Sequence, residues 1–257
     1  MGELLSIMAR LRAEGGCPWD REQTLASVAP YTVEEAYEVA DAIERGDMPH
    51  LKDELGDLLF QVVFHAQIAS ETQQFDFEAV AGAICDKLKR RHPHVFGGGA
   101  PLTAAQQSAV WEEIKAQERG ADRPRSGHLD GVPQALPALM RACKLSKRAA
   151  RVGFDFEHAG QTADKVAEEL AEVREAAAHG AASSPEIFEE VGDLLFAAAN
   201  LARKLEVDAE AALRAANAKF ERRFRGMESL AAQRGLQFAD LNLEAQESLW
   251  QEVKRGE

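Results

Sequence analysis

Acidic residues recur in one arrangement at two places in the chain. Glu54 and Asp57 stand in the run Glu54-Leu55-Gly56-Asp57-Leu58-Leu59-Phe60, and Glu190 and Asp193 in Glu190-Val191-Gly192-Asp193-Leu194-Leu195-Phe196. On a helix, residues three apart share a face, so each run projects two carboxylates the same way. Upstream lie Glu34-Glu35-Ala36-Tyr37-Glu38 and Glu168-Glu169-Leu170-Ala171-Glu172, in which Glu35 and Glu38, and Glu169 and Glu172, repeat that spacing. Two antiparallel helices carrying such pairs bring four carboxylates to one point. Acids at that density repel unless a cation neutralises them. Oxygen donors without His or Cys suit Mg²⁺, with Mn²⁺ as a substitute.

A single Glu-x-x-Glu on a helix is usually a solvated face. Here the linked pattern occurs twice, each time leading into an apolar run that leaves the acids poorly solvated. Burying unpaired carboxylates costs on the order of several kcal/mol, so a compensating charge is required. Helix capping offers another job for Glu35, because Thr32 precedes it by three residues. The second copy has Val166 at that place, so capping does not explain both. A carboxylate-bridged di-iron protein would place Glu-x-x-His motifs on partner helices, and these acidic helices carry none. A helical interaction module without chemistry leaves unexplained why acids and bases both recur. Below Glu54, the polar residues Asp57, Gln61 and His65 interrupt the apolar run every four residues and form one stripe, in which His65 reads as a satisfied core histidine.

The elements that must position these residues read as helices throughout. Glu3 to Ala13 is helical and stops at Gly15-Gly16; the loop Gly16-Cys17-Pro18-Trp19-Asp20 follows, then a helical stretch that Pro30 interrupts or kinks. Trp19, an aromatic among turn residues, reads as a core plug or a stacking surface for a base. Gly46-Asp47-Met48-Pro49 ends the first acidic helix, and the next runs from Leu51 to about Ser70. Apolar residues surround that helix, which predicts that it is buried on all sides. Asp76 opens a helix ending in Lys87-Leu88-Lys89-Arg90-Arg91-His92, whose basic last turn complements the helix dipole. A short helix is predicted over Ser108–Gln117. Residues 118–137, rich in Gly, Pro, Arg and Asp, read as a linker.

Beyond the linker the pattern restarts. Arg151-Val152-Gly153-Phe154-Asp155-Phe156 stands where the Cys-Pro-Trp-Asp loop stood, and Gln161–Ala178 carries the glutamates. Ser184-Pro185-Glu186 starts the helix of Glu190 and Asp193, which runs to Leu205. Asp208 caps a helix with Lys219-Phe220-Glu221-Arg222-Arg223 that continues to Gly235, and Leu243–Arg255 contains Trp250 and Lys254. Glu38 and Glu172 are 134 residues apart, Asp57 and Asp193 136, Arg91 and Arg223 132, and Trp111 and Trp250 139. Small drifts with element order kept indicate a duplicated all-α unit, occupying 1–117 and 138–257.

At 257 residues the chain has room for two small domains. A mean hydropathy of −0.32 and the lack of a long apolar run argue against a membrane span. The first residues carry no basic start or apolar core of a secretion signal, so a cytoplasmic location is expected. Three widely spaced cysteines indicate neither a disulfide framework nor a zinc site. The formal net charge of −13 opposes binding to a nucleic-acid polymer, while leaving room for a small polyphosphate held through a metal.

Over essentially its whole length the chain resembles the two-unit form of the MazG family of nucleoside triphosphate pyrophosphohydrolases. The matches are Cys17-Pro18-Trp19-Asp20 with Gln23-Thr24, the paired acidic motifs in both halves, Arg90-Arg91-His92-Pro93-His94-Val95-Phe96, and Lys219-Phe220-Glu221-Arg222-Arg223-Phe224. The resemblance implies two four-helix units, a homodimer, and Mg²⁺-dependent cleavage of nucleoside triphosphates to monophosphate and pyrophosphate, in nucleotide-pool housecleaning or regulation. Carried over by position, the metal carboxylates are Glu35, Glu38, Glu54 and Asp57, and Glu169, Glu172, Glu190 and Asp193. Beside them, Glu168 is the candidate to orient the attacking water, and Lys219, Arg222 and Arg223 to neutralise phosphate charge. Trp250 and Lys254, four apart on one face, are expected to close over a nucleotide. Trp19, Lys87 and Arg91 are the first unit's substrate-binding candidates. The longer basic helix of the second unit leads to the expectation that it carries most of the activity.

Overall fold

Each acidic helix begins at a cap encoded in the sequence, and these caps fix which residues face the site. The structure, a computed structural model, describes residues 1–98, 103, 106, 107, 110, 111, 114 and 127–257. Among the described residues the regular secondary structure is entirely helical. The chain divides into two compact units, Met1–Arg123 and Pro124–Glu257. The short helix predicted at Ser108–Gln117 lies largely outside the described residues, as do residues 118–126 of the expected linker.

The first unit contains α1 (Gly2–Arg12), α2 (Pro18–Glu22), α3 (Leu25–Arg45), α4 (Met48–Glu71), α5 (Phe77–Arg91) and α6 (Pro93–Phe96). The start of α3 is a capping box: Thr24 Oγ1 accepts from the Ser27 amide at 3.2 Å, and the Thr24 amide donates to Ser27 Oγ at 2.9 Å. This corrects two sequence expectations. The helix begins before Pro30 and runs through it, with one backbone donor lost, because the box upstream and the packing of α3 on α4 hold it. Thr32 therefore caps nothing; its hydroxyl meets His65 Nε2 at 2.9 Å. Gly46, in the left-handed region at φ 68°, closes α3 as only a residue without a Cβ does cheaply. Asp47 then caps α4 and Pro49 sits in its first turn, so the residues predicted only to end one helix also start the next.

The core of this unit is Met8, Val28, Val63, Phe64 and Ile68, with Leu4, Leu5, Leu11, Phe60 and Phe77 packed around them. It ties α1 and α3 to the second half of α4. The first half of α4 departs from the prediction of a helix buried on all sides. Leu55, Leu59 and Val62 are exposed, since α1 and α3 cover only one side of the helix.

The second unit contains α7 (Ala138–Ala150), α8 (Ala159–His179), α9 (Pro185–Lys204), α10 (Ala209–Gln233), a 3₁₀ turn (Phe238–Asp240) and α11 (Leu243–Arg255). His158 caps α8, Ser184 caps α9, Asp208 caps α10 and Asn242 caps α11. The α8–α9 pair is the counterpart of α3–α4, and α7 packs on α9. The helices α10 and α11 enclose a cluster of Met227, Ala231 and Leu249, with Trp250 and Val253 at its edge. Their approach is close because residue 226 is glycine: a Cβ there would lie 3.1 Å from Val253 Cγ1.

Candidate active site

In both units the acids converge as their spacing requires. Carboxylate oxygens of Glu35, Glu38 and Glu54 lie within 4.8 Å of one another, as do those of Glu169, Glu190 and Asp193. The fourth acid of each set stands beside its group. Asp57 is close enough to raise the proton affinity of Glu35 and Glu54, and Glu172 shares a proton-linked contact with Glu169. Glu54 and Glu169 are buried, while Glu38, Asp57, Glu172 and Asp193 are exposed, so each group is a depression open on one side.

The electrostatics record the repulsion. Burial first, then the charges of Asp57 and Glu38, push the Glu35 carboxyl above its ordinary value of 4.5. Glu54 rises through burial, against the opposing pull of His50, with Glu38 and Asp57 adding to the rise. Glu172 rises through burial and the Glu169 charge. In all three acids burial is the largest cause, and the neighbouring carboxylates add to it.

Two side chains partly supply that counter-charge. His50 Nε2 lies 3.1 Å from Glu54 Oε1. Lys165 Nζ spans Glu168 Oε1 at 2.7 Å and Glu169 Oε1 at 2.8 Å, and both acids raise its proton affinity. Sequence reasoning missed both. The signal was available as a basic residue four positions before an acid on one helix, a pairing common on surfaces and therefore easily passed over.

A divalent ion fits the residues present. The donors are all oxygen, and in the first unit Gln61 adds an independent sign. It is buried, its Nε2 donates to Glu35 Oε1 at 3.4 Å, and its Oε1 has no hydrogen-bond partner among the described residues. A buried carbonyl oxygen left unpaired beside a carboxylate group needs a donor that the protein does not provide. His65, further along the same stripe, is bonded to Thr32, and burial lowers its proton affinity.

The basic and aromatic candidates stand elsewhere. Lys219, Arg222 and Arg223 lie on α10, which packs on α11 and α7 and has little contact with α9, whereas the acids lie on α8 and α9. Arg223 stacks over Trp250, 5.5 Å from the ring centre, and Phe220 packs on the same indole. The Glu257 carboxylate occupies the guanidinium forks: Arg223 Nη2 donates to Oε2 at 2.6 Å and Arg222 Nη2 to Oε1 at 3.1 Å. Lys219 and Lys254 are exposed. Within the second unit these groups therefore lie on a helix with little packing against α9, which carries Glu190 and Asp193. In the first unit, Lys87 lines a shallow apolar groove with Phe75, Val80 and Ile84, and Arg91 ends α5. Trp19 is no plug: it is half exposed and meets Tyr31 edge-on at 6.0 Å, one helical turn before Glu35.

Comparison with known proteins agrees with this geometry. The MazG nucleotide pyrophosphohydrolase domain matches residues 23–96 and 156–226, each span enclosing one carboxylate set. The nucleoside triphosphate pyrophosphohydrolase of Escherichia coli strain K12 is 54% identical over 255 residues, covering 99% of this chain and 97% of that one. A nucleoside triphosphate pyrophosphohydrolase/pyrophosphatase MazG of Thermotoga maritima is 44% identical, covering 99% of this chain and 96% of its own. A solved structure of a mazG-related protein from Thermotoga maritima, 25% identical, matches 45% of this chain and 99% of its own with a TM-score of 0.39. With two matching domains and relatives aligned nearly end to end, the chain belongs to the MazG nucleotide pyrophosphohydrolase family.

Proposed function

We propose that this protein hydrolyses nucleoside triphosphates to nucleoside monophosphate and pyrophosphate at its two carboxylate sites, in the upkeep of a cytoplasmic nucleotide pool. The observation that carries this reading is the convergence of three carboxylates twice, each with a fourth acid beside it, on helix pairs inside the two family-matched spans. Glu35, Glu38, Glu54 and Asp57 would hold Mg²⁺ in the first unit, and Glu169, Glu172, Glu190 and Asp193 in the second. A bound Mg²⁺ supplies charge neutralisation for the triphosphate and acidifies a coordinated water. We assign Glu168 to orient that water: Lys165 anchors its Oε1, which leaves Oε2 to accept the proton.

The distance in sequence and packing between the acids and the basic wall is best met by a second copy of the chain. We propose a homodimer in which α10 and α11 of one subunit face the acids of another, with Lys219, Arg222, Arg223, Trp250 and Lys254 on the nucleotide. The uncovered apolar faces support this: Leu55, Leu59 and Val62 on α4, and Val191 and Leu195 on α9, are exposed in the single chain. Among the described residues no helix is long and apolar enough to cross a membrane.

The second unit is proposed to carry most of the turnover, because the Arg223–Trp250 arrangement combines a guanidinium fork with an aromatic face, whereas the first unit's basic helix stops at Pro93. Two double variants test the assignment, Glu172→Gln with Glu190→Gln, and Glu38→Gln with Glu54→Gln, each checked for retained helicity. Loss of triphosphate hydrolysis in the first and retention in the second is expected. The reverse would invert the ranking, and full activity in both would contradict the carboxylate sites.

A further inference from the structure

The two carboxylate groups are built on equivalent helices, but the residues that border them differ in kind. Aligning the acids places Gln61 opposite Ala197, His65 opposite Leu201, Thr32 opposite Val166, and Tyr31 opposite Lys165. The first group therefore continues downward into polar side chains. The second sits on an apolar floor and is bordered by an ammonium instead.

Gln61 is 6% exposed, which takes its amide out of water. Its orientation follows from the neighbour: the NH₂ end must face the Glu35 carboxylate, because an oxygen there would repel it, and the observed contact is Nε2 to Oε1 at 3.4 Å. That choice commits Gln61 Oε1 to the remaining direction, where no donor among the described residues meets it. A buried acceptor left in this state is costly, and a water carried on an ion among Glu35, Glu38 and Glu54 is the donor that would satisfy it. Among the described residues the basic side chain paired with these acids is His50, whose imidazole reaches the single oxygen Glu54 Oε1 and is charged only when protonated.

In the second group the opposite holds. Lys165 Nζ bonds Glu168 and Glu169 together, at 2.7 and 2.8 Å, with a full positive charge on the buried acid that an incoming ion would need. Ala197, at the place of Gln61, offers neither an acceptor nor a donor. An ion entering here must displace an ammonium that is already paired twice, and gains no neighbouring amide.

We infer that the first unit binds a divalent cation without nucleotide, completed by Gln61, whereas the second binds one only weakly until a substrate draws Lys165 away. The inference rests on the carboxylate groups being metal sites, as proposed above, and adds that the two are unequal and why. Gln61 acts here as a positioning residue, holding Glu35 through one end of its amide and the ion's water through the other. The first site is thereby occupied at rest and the second is loaded together with its anionic substrate.

Mn²⁺ titration of the full chain without nucleotide, read by the electron paramagnetic resonance of the free ion, tests this without any assay of turnover. Two classes of site are expected, one tight and one weak. The tight class should vanish in Glu54→Gln and persist in Glu190→Gln. Gln61→Leu should weaken it roughly 10- to 100-fold, the usual cost of losing a residue behind a metal ligand. An unchanged weak class and unchanged far-UV circular dichroism in Gln61→Leu guard against a mere folding defect in that variant. Lys165→Met should tighten the weak class. Two equal classes, a tight class untouched by Gln61→Leu, or one abolished by Glu190→Gln rather than Glu54→Gln would overturn the inference while leaving the metal reading in place. Binding of no Mn²⁺ at all would overturn both.

Discussion

Glu54 and Glu169 are buried among other acids, one in each unit, Glu54 beside His50 and Glu169 beside Lys165. In the proposed reading a bound cation would offset the charge that these basic partners leave uncompensated. Replacing either with Gln should lower triphosphate hydrolysis at its own site by at least about 100-fold, in line with losses of even indirect metal contacts, while far-UV circular dichroism stays unchanged. A pH dependence follows from the same groups. Glu35, Glu54 and Glu172 have folded-state proton affinities raised above their ordinary value of 4.5. Acids shifted in that direction stabilise the fold when protonated, and that contribution is lost as pH rises through their raised values. The metal-free protein is therefore expected to lose stability from these groups above pH 4.5, and Mg²⁺ should raise its melting temperature more at pH 8 than at pH 5. An equal Mg²⁺ effect at both pH values in thermal melts would contradict the assignment. The eight acids were legible in the sequence because helical periodicity converts a spacing of three into a shared face. Lys165 and His50 were not, because an i,i+4 ion pair looks alike whether it sits on an open surface or at the rim of a site.

Among the elements, the helices opening at Asp76, Ser184 and Asp208 were predicted from their caps, whereas the stretch Gly16–Asp20, read as a loop, contains the start of α2 at Pro18. Ser184, Asp208 and Asp76 each accept a backbone hydrogen bond at the start of the helix expected there. The failures came where local signals competed. Pro30 reads as a breaker, yet the Thr24–Ser27 box upstream sets the helix before the proline is reached. The apolar surround of α4 reads as burial on all sides, but periodicity cannot say whether the covering surface belongs to the same chain. Its buried half is testable directly. Phe64 is 1% exposed in the first core, and Phe64→Ala should cost about 3–5 kcal/mol in denaturant unfolding. In the second unit, Gly226→Ala sets a gain in helix propensity of about 1 kcal/mol against a methyl to which Val253 must yield by a few tenths of an ångström, so denaturant unfolding should change by less than about 1 kcal/mol. The end of α11 carries its own titration. The forks of Arg223 and Arg222 hold the Glu257 carboxyl down at about 2, so its pairing is complete above the ordinary value of 4.5 and is lost as pH falls through 2. The protection of the amides at residues 254–257, taken relative to their intrinsic exchange rates at each pH, should fall over that acid range and be low at all pH values in Glu257→Gln.

For the whole molecule, the duplication was visible in the sequence because the acidic and basic motifs recur in one order at nearly one spacing. What spacing does not carry is where the basic wall meets the acids, since that depends on which surfaces pack, and within one chain α10 turns toward α7 and α11. The proposed homodimer would account for both this packing and the exposed leucines of α4 and α9. Leu59→Asp with Leu195→Asp should convert the protein from dimer to monomer in light scattering and abolish turnover with helicity retained, and a monomeric wild type would contradict the shared site. The central claim is that the two carboxylate sites cleave nucleoside triphosphates between the α and β phosphorus atoms. Phosphorus NMR of a nucleoside triphosphate incubated with the protein and Mg²⁺ addresses it most directly. The account predicts growth of pyrophosphate and nucleoside monophosphate resonances in equal amounts, with none in the presence of a chelator; nucleoside diphosphate with orthophosphate, or an unchanged spectrum, would contradict it.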